Sequence, residues 1–170
     1  MVLKIIPLFK KAMDLSIIIV FHRKQSEDTT LIDVLSSKTD LVVKEADDKD
    51  LISPGVIYVA PADYHVLIEK DNTITLDDSE KINYSRPSID VTFESAAEVF
   101  GQSLVCMLLS GANADGVAGL LAARKSGSFI VVQDPASAEV SFMPQRAVDE
   151  VPIDLIINEK NLQKLADLFQ

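Results

Sequence analysis

Cysteine and histidine are scarce in this chain, and their scarcity excludes two common ways of stabilising or activating a small domain. One cysteine, Cys106, and two histidines occur among 170 residues. A single cysteine excludes a disulfide within the chain, and so few ligands argue against a structural zinc site. Cys106 lies in the apolar run 104–109, which is typical of a buried, unreactive thiol. The sequence predicts no metal and no cofactor.

Long apolar stretches and strongly basic regions are also missing. No run reaches the roughly 20 residues of a membrane span, and residues 1–13 lack the apolar core of a signal peptide. Acidic residues outnumber basic ones by 26 to 16, for a formal net charge of -10. Because nucleic-acid binding requires a basic surface, we expect no nucleic-acid partner. The sequence predicts a cytoplasmic protein without membrane insertion.

What the sequence does contain is an alternation of short apolar strands and amphipathic helices. This alternation predicts one α/β domain over residues 1–170, with three layers and a mainly parallel sheet flanked by helices. An antiparallel hairpin is inserted at 65–69 and 73–76, around the turn Asp71-Asn72. The predicted strands otherwise lie at 16–21, 41–44, 56–60, 104–109, 128–132 and 153–157, and the helices at 1–13, 29–35, 88–100, 116–125, 144–149 and 162–169.

Two ionisable residues follow predicted parallel strands, where the crevice of an open α/β sheet lies. His22 comes directly after the strand 16–21, and Asp115 lies in the loop after the strand 104–109. An aspartate that holds one imidazole proton leaves the other ring nitrogen free to act as a general base. Asp115 has an alternative role as a cap of the helix that follows it, and His22 has an alternative role as a solvated or structural residue. The two roles of Asp115 require different directions of its carboxylate.

Two further residues have competing interpretations. His65 comes close to the same crevice along the chain, but a structural histidine at a turn is also consistent with its position. Arg86 precedes a helix that Ser88 is placed to cap, and its guanidinium is available to bind a carboxylate or to pair with Asp90.

At these residues the sequence resembles a known family. It is similar to the C-terminal catalytic domain of chemotaxis protein-glutamate methylesterases, the CheB family. The similarity follows one order and spacing over nearly the whole chain, which is more specific than any single motif. The matching stretches are Phe21-His22, 55–65, 85–97, 108–116, 132–135 and 143–147.

The resemblance implies a Ser-His-Asp hydrolase. It implies hydrolysis of methyl esters of glutamate side chains on the cytoplasmic helices of methyl-accepting chemotaxis receptors, with release of methanol, and in many members deamidation of receptor glutamines. Carried over by position, His22 is the general base and Asp115 orients it. The candidates for lining the substrate pocket are His65, Arg86, Ser110, Gly111, Asn113 and Met143.

The resemblance leaves the nucleophile unaccounted for. The family's serine lies in a Gly-rich turn between its first strand and first helix, and residues 1–13 match that helix. No glycine occurs before Gly55, and Ser110 and Cys106 both belong to the strand that leads to Asp115. We therefore expect the first family strand and the serine to lie upstream of residue 1, and no receiver domain within the chain.

Three hypotheses follow from this gap. The first is an esterase domain whose serine lies upstream. The second is a catalytically inactive module of the same fold that binds receptors. The third is a fragment with unpaired sheet edges, which a homodimer would repair by donating an edge.

Overall fold

A computed structural model describes residues 1–23 and 30–169 of the chain. Strands and helices alternate along it, as the sequence predicts. The strands are β1 (Ile17–Ile19), β2 (Val42–Glu45), β3 (Val56–Val59), β4 (His65–Ile68), β5 (Ile74–Asp77), β6 (Val105–Leu108), β7 (Phe129–Gln133) and β8 (Leu155–Ile157). The helices are α1 (Val2–Ile5), α2 (Thr30–Ser36), α3 (Ile89–Phe100), α4 (Val117–Lys125), α5 (Phe142–Glu150) and α6 (Gln163–Ala166).

The parallel strands form two sheets of three strands each. The first has the order β1-β3-β2 and the second β6-β7-β8, with every pairing parallel. Strands β3 and β7 are central, and their near-continuous apolar sequences suit burial on both faces. The mainly parallel three-layer α/β arrangement is confirmed, although within the described residues no strand joins β1 to β6.

The inserted hairpin is also confirmed. Strands β4 and β5 pair antiparallel, with His65 opposite Asp77 and Ile68 opposite Ile74. Asn72 has φ of 63° in the connecting turn, a left-handed conformation that asparagine tolerates better than most residues. The hairpin packs against α3, and this contact fixes the start of that helix beside β4.

The first predicted helix is shorter than its apolar pattern indicates. The α-helix ends at Ile5 and continues as a single 3₁₀ turn, Ile6–Leu8, with Pro7 near its start. Proline lacks the amide hydrogen that a continuing helix needs. The apolar pattern beyond Pro7 therefore does not continue as an α-helix. The last predicted helix likewise consists of α6 and a 3₁₀ turn, Asp167–Phe169.

The helix predicted at 144–149 is longer than expected. It begins at Phe142 and ends at Glu150, so Pro144 occupies its third position rather than its first. The missing amide of Pro144 still costs no hydrogen bond, because the first amides of any helix lack partners within it. Among residues 1–23 and 30–169, no helix is long and apolar enough to cross a bilayer.

Candidate functional site

The structure brings His22 and Asp115 together at the carboxyl ends of β1 and β6. His22 Nε2 lies 2.6 Å from Asp115 Oδ2. The His22 side chain is 26% exposed while that of Asp115 is fully buried. Since the carboxylate accepts, Nε2 carries a proton, and the described residues offer no partner to Nδ1.

Among the described residues, four donors bind the Asp115 carboxylate. Besides His22, its donors are the Ser88 hydroxyl at 2.7 Å and the amides of Ile89 and Asp90 at 2.6 and 3.0 Å. Burial by itself raises the pKa of the Asp115 carboxyl, but the hydrogen bonds from His22, Ser88 and the two amides outweigh burial and hold its pKa below the usual value. The carboxylate is thus ionised and oriented by fixed donors.

Asp115 does cap a helix, but not the helix that the sequence predicts. Its carboxylate caps α3, not the helix α4 that follows it. The start of α4 is capped instead by Asp90, whose Oδ1 accepts from the amides of Gly116 at 2.8 Å and Gly119 at 2.7 Å. The carboxylate that caps α3 therefore comes from the loop before α4, and the carboxylate that caps α4 comes from the first turn of α3. The two buried carboxylates come close enough to interact.

This proximity changes the ionisation of Asp90. The pKa of Asp90 is raised to about 6. Burial is the largest cause of this rise, and the neighbouring negative charge of Asp115 also raises the pKa. An acid whose pKa is higher in the folded protein than in the unfolded chain binds more protons when folded. Its contribution to stability therefore falls as pH rises from about 4 to about 6.

We expect Asp90→Asn to remove this pH dependence. Asparagine Oδ1 can still accept from Gly116 and Gly119, but the side chain carries no charge for burial to penalise. The free energy of unfolding of the variant minus that of the wild type should be greater at pH 7.5 than at pH 4.5, by roughly 1–2 kcal/mol after discounting for solvent access. Urea unfolding of both proteins at the two pH values measures this difference in the free energy of unfolding. A difference that is the same at both pH values would contradict the assignment.

His65 lies behind the pair rather than beside the opening. It is 1% exposed, its Nδ1 accepts from the amide of Ser88 at 3.1 Å, and its Nε2 donates to the carbonyl of Glu80 at 2.9 Å. These partners fix a neutral tautomer, protonated on Nε2. The geometry is that of a structural histidine that holds Ser88, and through the Ser88 hydroxyl it contacts Asp115 indirectly.

Arg86 takes neither of the two roles expected from the sequence. Its Nη1 donates to the backbone carbonyls of Asp78 and Ser79, at 2.5 and 2.7 Å. The pairing with Asp90 is wrong, because the other oxygen of that carboxylate accepts from Asn83 Nδ2 at 3.1 Å. The guanidinium fastens the segment after β5 instead, so Arg86 supports the loop that leads into α3.

The remaining pocket candidates do line one opening with His22. Ser110, Gly111, Asn113 and Met143 all border a cavity of about 920 Å³. Gly111 allows a close approach there, since a Cβ atom would lie 2.5 Å from Met143 Cε. Asn113 is held by Ser85 Oγ, which accepts from its Nδ2 at 3.1 Å. His65 and Arg86 do not border this cavity.

The site contains a histidine held by a buried carboxylate, but the described residues show no hydroxyl or thiol bonded to His22. Ser110 Oγ donates to the carbonyl of Val140 at 3.2 Å and accepts from the Val140 amide at 2.9 Å, so it belongs to that turn. Cys106 is buried, which raises its pKa to about 12. In the part of the chain that the structure describes, no group of three or more potential ligands could hold a metal ion.

Sequence reasoning missed the paired role of Asp90 and the donor role of Ser88. Both lie at the start of α3, where the sequence predicts Ser88 as the cap of that helix and Asp90 as a candidate partner of Arg86. The signal was present, because Asp90 and Asp115 each lie within two residues of a helix start and each helix needs an acceptor. What the pattern could not show is that the two acceptors are exchanged.

The chain is similar to known proteins over nearly its whole length. The family model for CheB methylesterase matches residues 1–166. A Leptospira interrogans protein, provisionally named protein-glutamate methylesterase/protein-glutamine glutaminase, is 40% identical over 165 residues, which are 97% of this chain and 84% of that protein. The Thermotoga maritima protein named protein-glutamate methylesterase/protein-glutamine glutaminase is 31% identical over 168 residues, 96% of this chain and 49% of that protein.

A solved structure matches the fold as well. The crystal structure of the Thermotoga maritima CheB methylesterase catalytic domain superposes with a TM-score of 0.91 at 31% identity, covering 98% of this chain and 91% of that one. The chain thus spans nearly all of that domain but about half of the full-length Thermotoga protein. The relatives are named as hydrolases of protein-glutamate esters. On the family match and these similarities, the chain belongs to the CheB methylesterase family.

Proposed function

We propose that the chain provides the base and orienting acid of a protein-glutamate methylesterase that acts on methyl-accepting chemotaxis receptors. The observation that carries the proposal is the 2.6 Å contact between His22 and the buried Asp115, at the border of the 920 Å³ cavity. The relatives' names supply the substrate class, glutamate methyl esters and glutamines of proteins. The substrate would be presented on cytoplasmic receptor helices.

In the proposed reaction a serine hydroxyl at Nδ1 loses its proton to His22 as its oxygen attacks the ester carbonyl. The tetrahedral intermediate collapses, and the leaving methoxide takes that proton and departs as methanol. Water then attacks the acyl-serine, again giving a proton to His22, and the glutamate carboxylate is released. Asp115 keeps the Nε2 proton in place and stabilises the imidazolium that forms in each step. Where no serine is at Nδ1, water attack assisted by His22 gives only slow hydrolysis.

The test uses receptor signalling fragments whose glutamates carry radiolabelled methyl groups. We expect the 170-residue chain to release methanol slowly but above the buffer rate, and His22→Gln to abolish that release. Lys164→Gln, an exposed substitution on α6, is the control and should release methanol like the wild type. Equal release by wild type and His22→Gln would refute the proposed role of His22.

A second candidate function has one observation in its favour. Because the described residues place no nucleophile against His22, the chain is also suited to bind receptors without hydrolysing them. In that case labelled fragments would be retained by the immobilised chain while methanol release stayed at the buffer rate. Retention together with His22-dependent release would instead support the esterase.

A further inference from the structure

A tight turn shortly before α3 has an unusual residue at its tip. The amide of Ile82 donates to the carbonyl of Ser85 at 3.1 Å, and the amide of Ser85 donates to the carbonyl of Ile82 at 2.8 Å. The two central residues, Asn83 and Tyr84, both have positive φ, 49° and 62°. Two-residue turns of this kind favour Asn-Gly, because both central positions need a left-handed conformation. Asparagine suits the first position, but tyrosine does not suit the second.

Tyr84 gains nothing from the rest of the folded chain in return for this conformation. The residue is 99% exposed, and its hydroxyl makes no hydrogen bond to any other residue in 1–23 or 30–169. A bulky residue in the left-handed region is disfavoured, and strained residues of this kind cluster where proteins hold ligands or substrates. The strain therefore indicates that the Tyr84 ring is used in a contact outside the chain.

The exposed segment 78–84 leads to this turn and is fastened to the domain, although it covers little of the core. All seven of its residues are exposed. Buried His65 nevertheless donates from Nε2 to the carbonyl of Glu80 at 2.9 Å, and Arg86 donates to two carbonyls at the start of the segment. These polar contacts fix the position of the segment without adding to the apolar core.

Two further contacts fasten the turn itself, and one of them reaches the candidate site. Asn83 Nδ2 donates to Oδ2 of Asp90, at the start of α3, at 3.1 Å. Ser85 Oγ accepts from Nδ2 of Asn113 at 3.1 Å, and Asn113 borders the 920 Å³ cavity. Tyr84 lies between these two anchored residues in the chain. Its ring is thus held in solvent close to the border of the cavity.

The loop 110–113 that borders the cavity has exposed apolar residues at its other end as well. The amide of Gly111 donates to the carbonyl of Val140 at 3.1 Å, and the amide of Met143 donates to the carbonyl of Gly111 at 2.9 Å. These bonds join the loop to the start of α5, where Val140 and Phe142 are 42% and 48% exposed. Exposed apolar side chains therefore lie at both ends of the loop.

A protein substrate would need contacts at this border. The relatives are named for glutamates and glutamines of proteins, and such a side chain is surrounded by other residues of the same protein. When the ester enters the cavity, the neighbouring residues of the substrate must lie on the cavity border. Aromatic side chains are the common anchors of protein–protein contacts, and an anchor held in place before binding loses less entropy on binding.

We propose that Tyr84 is a specificity-determining residue, whose ring packs on an apolar side chain of the protein substrate beside the esterified glutamate. Phe142 provides a second contact at the other end of the loop 110–113. The two contacts determine which glutamates are bound and leave the chemistry at His22 unchanged. The identity of the substrate rests on the proposed function.

The test measures binding of a purified receptor signalling fragment with glutamine at its methylation sites. All chains carry His22→Gln, so that turnover does not interfere. We expect Tyr84→Ala to raise the Kd for the fragment about tenfold and Phe142→Ala about threefold, because each removes an apolar contact that binding buries. Tyr84→Phe keeps the ring and should bind like the parent. Leu51→Ala, at an equally apolar residue that is 62% exposed near the hairpin turn, is the matched control and should also bind like the parent.

Tyr84→Gly distinguishes a substrate contact from a structural role. Glycine adopts positive φ without strain, so the urea midpoint of this variant should rise while its Kd for the fragment rises about tenfold. Weaker binding together with a lower urea midpoint would assign Tyr84 to the fold and overturn the proposal. So would parent-like binding by Tyr84→Ala, or a parent chain that does not bind the fragment.

Methanol release by chains with His22 intact tests the chemistry separately. Tyr84-dependent binding without His22-dependent release from methylated fragments would keep the contact and refute the proposed function. Release that depends on His22 but is unchanged by Tyr84→Ala, at fragment concentrations below the Kd, would keep the proposed function and overturn the contact. Release that falls with Tyr84→Ala in proportion to the loss of binding supports both.

Discussion

Asp115→Asn is expected to destabilise the protein by about 3 kcal/mol and to abolish His22-dependent methanol release. Four donors converge on the carboxylate, and an amide nitrogen cannot accept from any of them. If the nitrogen faces the Oδ2 side, the Ile89 amide loses its acceptor. If it faces the other side, the Asp90 amide does. One buried donor left unpaired costs about 1–3 kcal/mol, and loss of a charged helix cap adds about 1 kcal/mol.

The effect on catalysis comes through the tautomer of His22. An asparagine nitrogen facing Nε2 would donate, so His22 would move its proton to Nδ1 and lose the acceptor that the reaction requires. In serine proteases the comparable substitution lowers turnover by about 10⁴. Urea unfolding and methanol release measure the two effects. Asp71→Asn, at the exposed hairpin turn, is the control. An Asp115→Asn variant with wild-type stability would contradict the role of the four donors.

Gly119→Ala should destabilise the protein by about 1–2 kcal/mol, although alanine is the better helix former. A Cβ atom at Gly119 would lie 2.7 Å from Phe93 Cβ and 3.0 Å from both Cα and the carbonyl oxygen of Asp90. Two of these atoms belong to the backbone of α3, so α3 and α4 must separate. Overpacking of this kind costs about 1–3 kcal/mol, and the gain in helix propensity of about 1 kcal/mol offsets only part of the larger values.

The neighbouring residue provides the control for this prediction. Ala118 is exposed on the same helix, and Ala118→Gly should cost about 1 kcal/mol through helix propensity alone. Thermal or urea unfolding compares the two variants. If propensity decided both, Gly119→Ala would stabilise the protein, and that result would show that the contact between α3 and α4 is loose. Because the Gly119 amide donates to Asp90, separation should also perturb the capping of α4.

The sequence was sufficient to predict the fold and the contact between His22 and Asp115. Apolar runs such as 104–109 and 128–132 predict buried parallel strands, because strands covered on both faces have no polar alternation. His22 and Asp115 follow such strands, and parallel strands place their carboxyl ends at one edge. This rule needs no knowledge of side-chain directions, so the sequence pattern alone predicts that the two residues lie close together.

The partners of those residues could not be predicted in the same way. The segment before α3 brings Arg86 to the carbonyls of Asp78 and Ser79, which depends on the path of a loop rather than on spacing. The exchange of caps between Asp90 and Asp115 depends on how closely α3 and α4 pack, and Gly119 permits that approach. A single-chain pattern assigns each helix a local cap, and only the packed structure shows that both are remote.

The strand order was predicted only in part. The sequence analysis considers unpaired sheet edges as one hypothesis, but the apolar runs 16–21 and 104–109 do not say which edges these are. Within the described residues, β1 pairs with β3 and β6 pairs with β7, in two separate sheets.

The exchanged caps have a consequence for how the site responds to acid. Asp90 and Asp115 are neighbouring carboxylates of unequal basicity. The pKa of Asp90 is raised to about 6, and the pKa of Asp115 is held below its usual value. The first proton to enter as pH falls therefore settles on Asp90, where it also relieves the repulsion between the two charges. Asp115 keeps its charge and its hold on His22. Protonation of Asp90 in mild acid therefore leaves the contact that orients His22 in place.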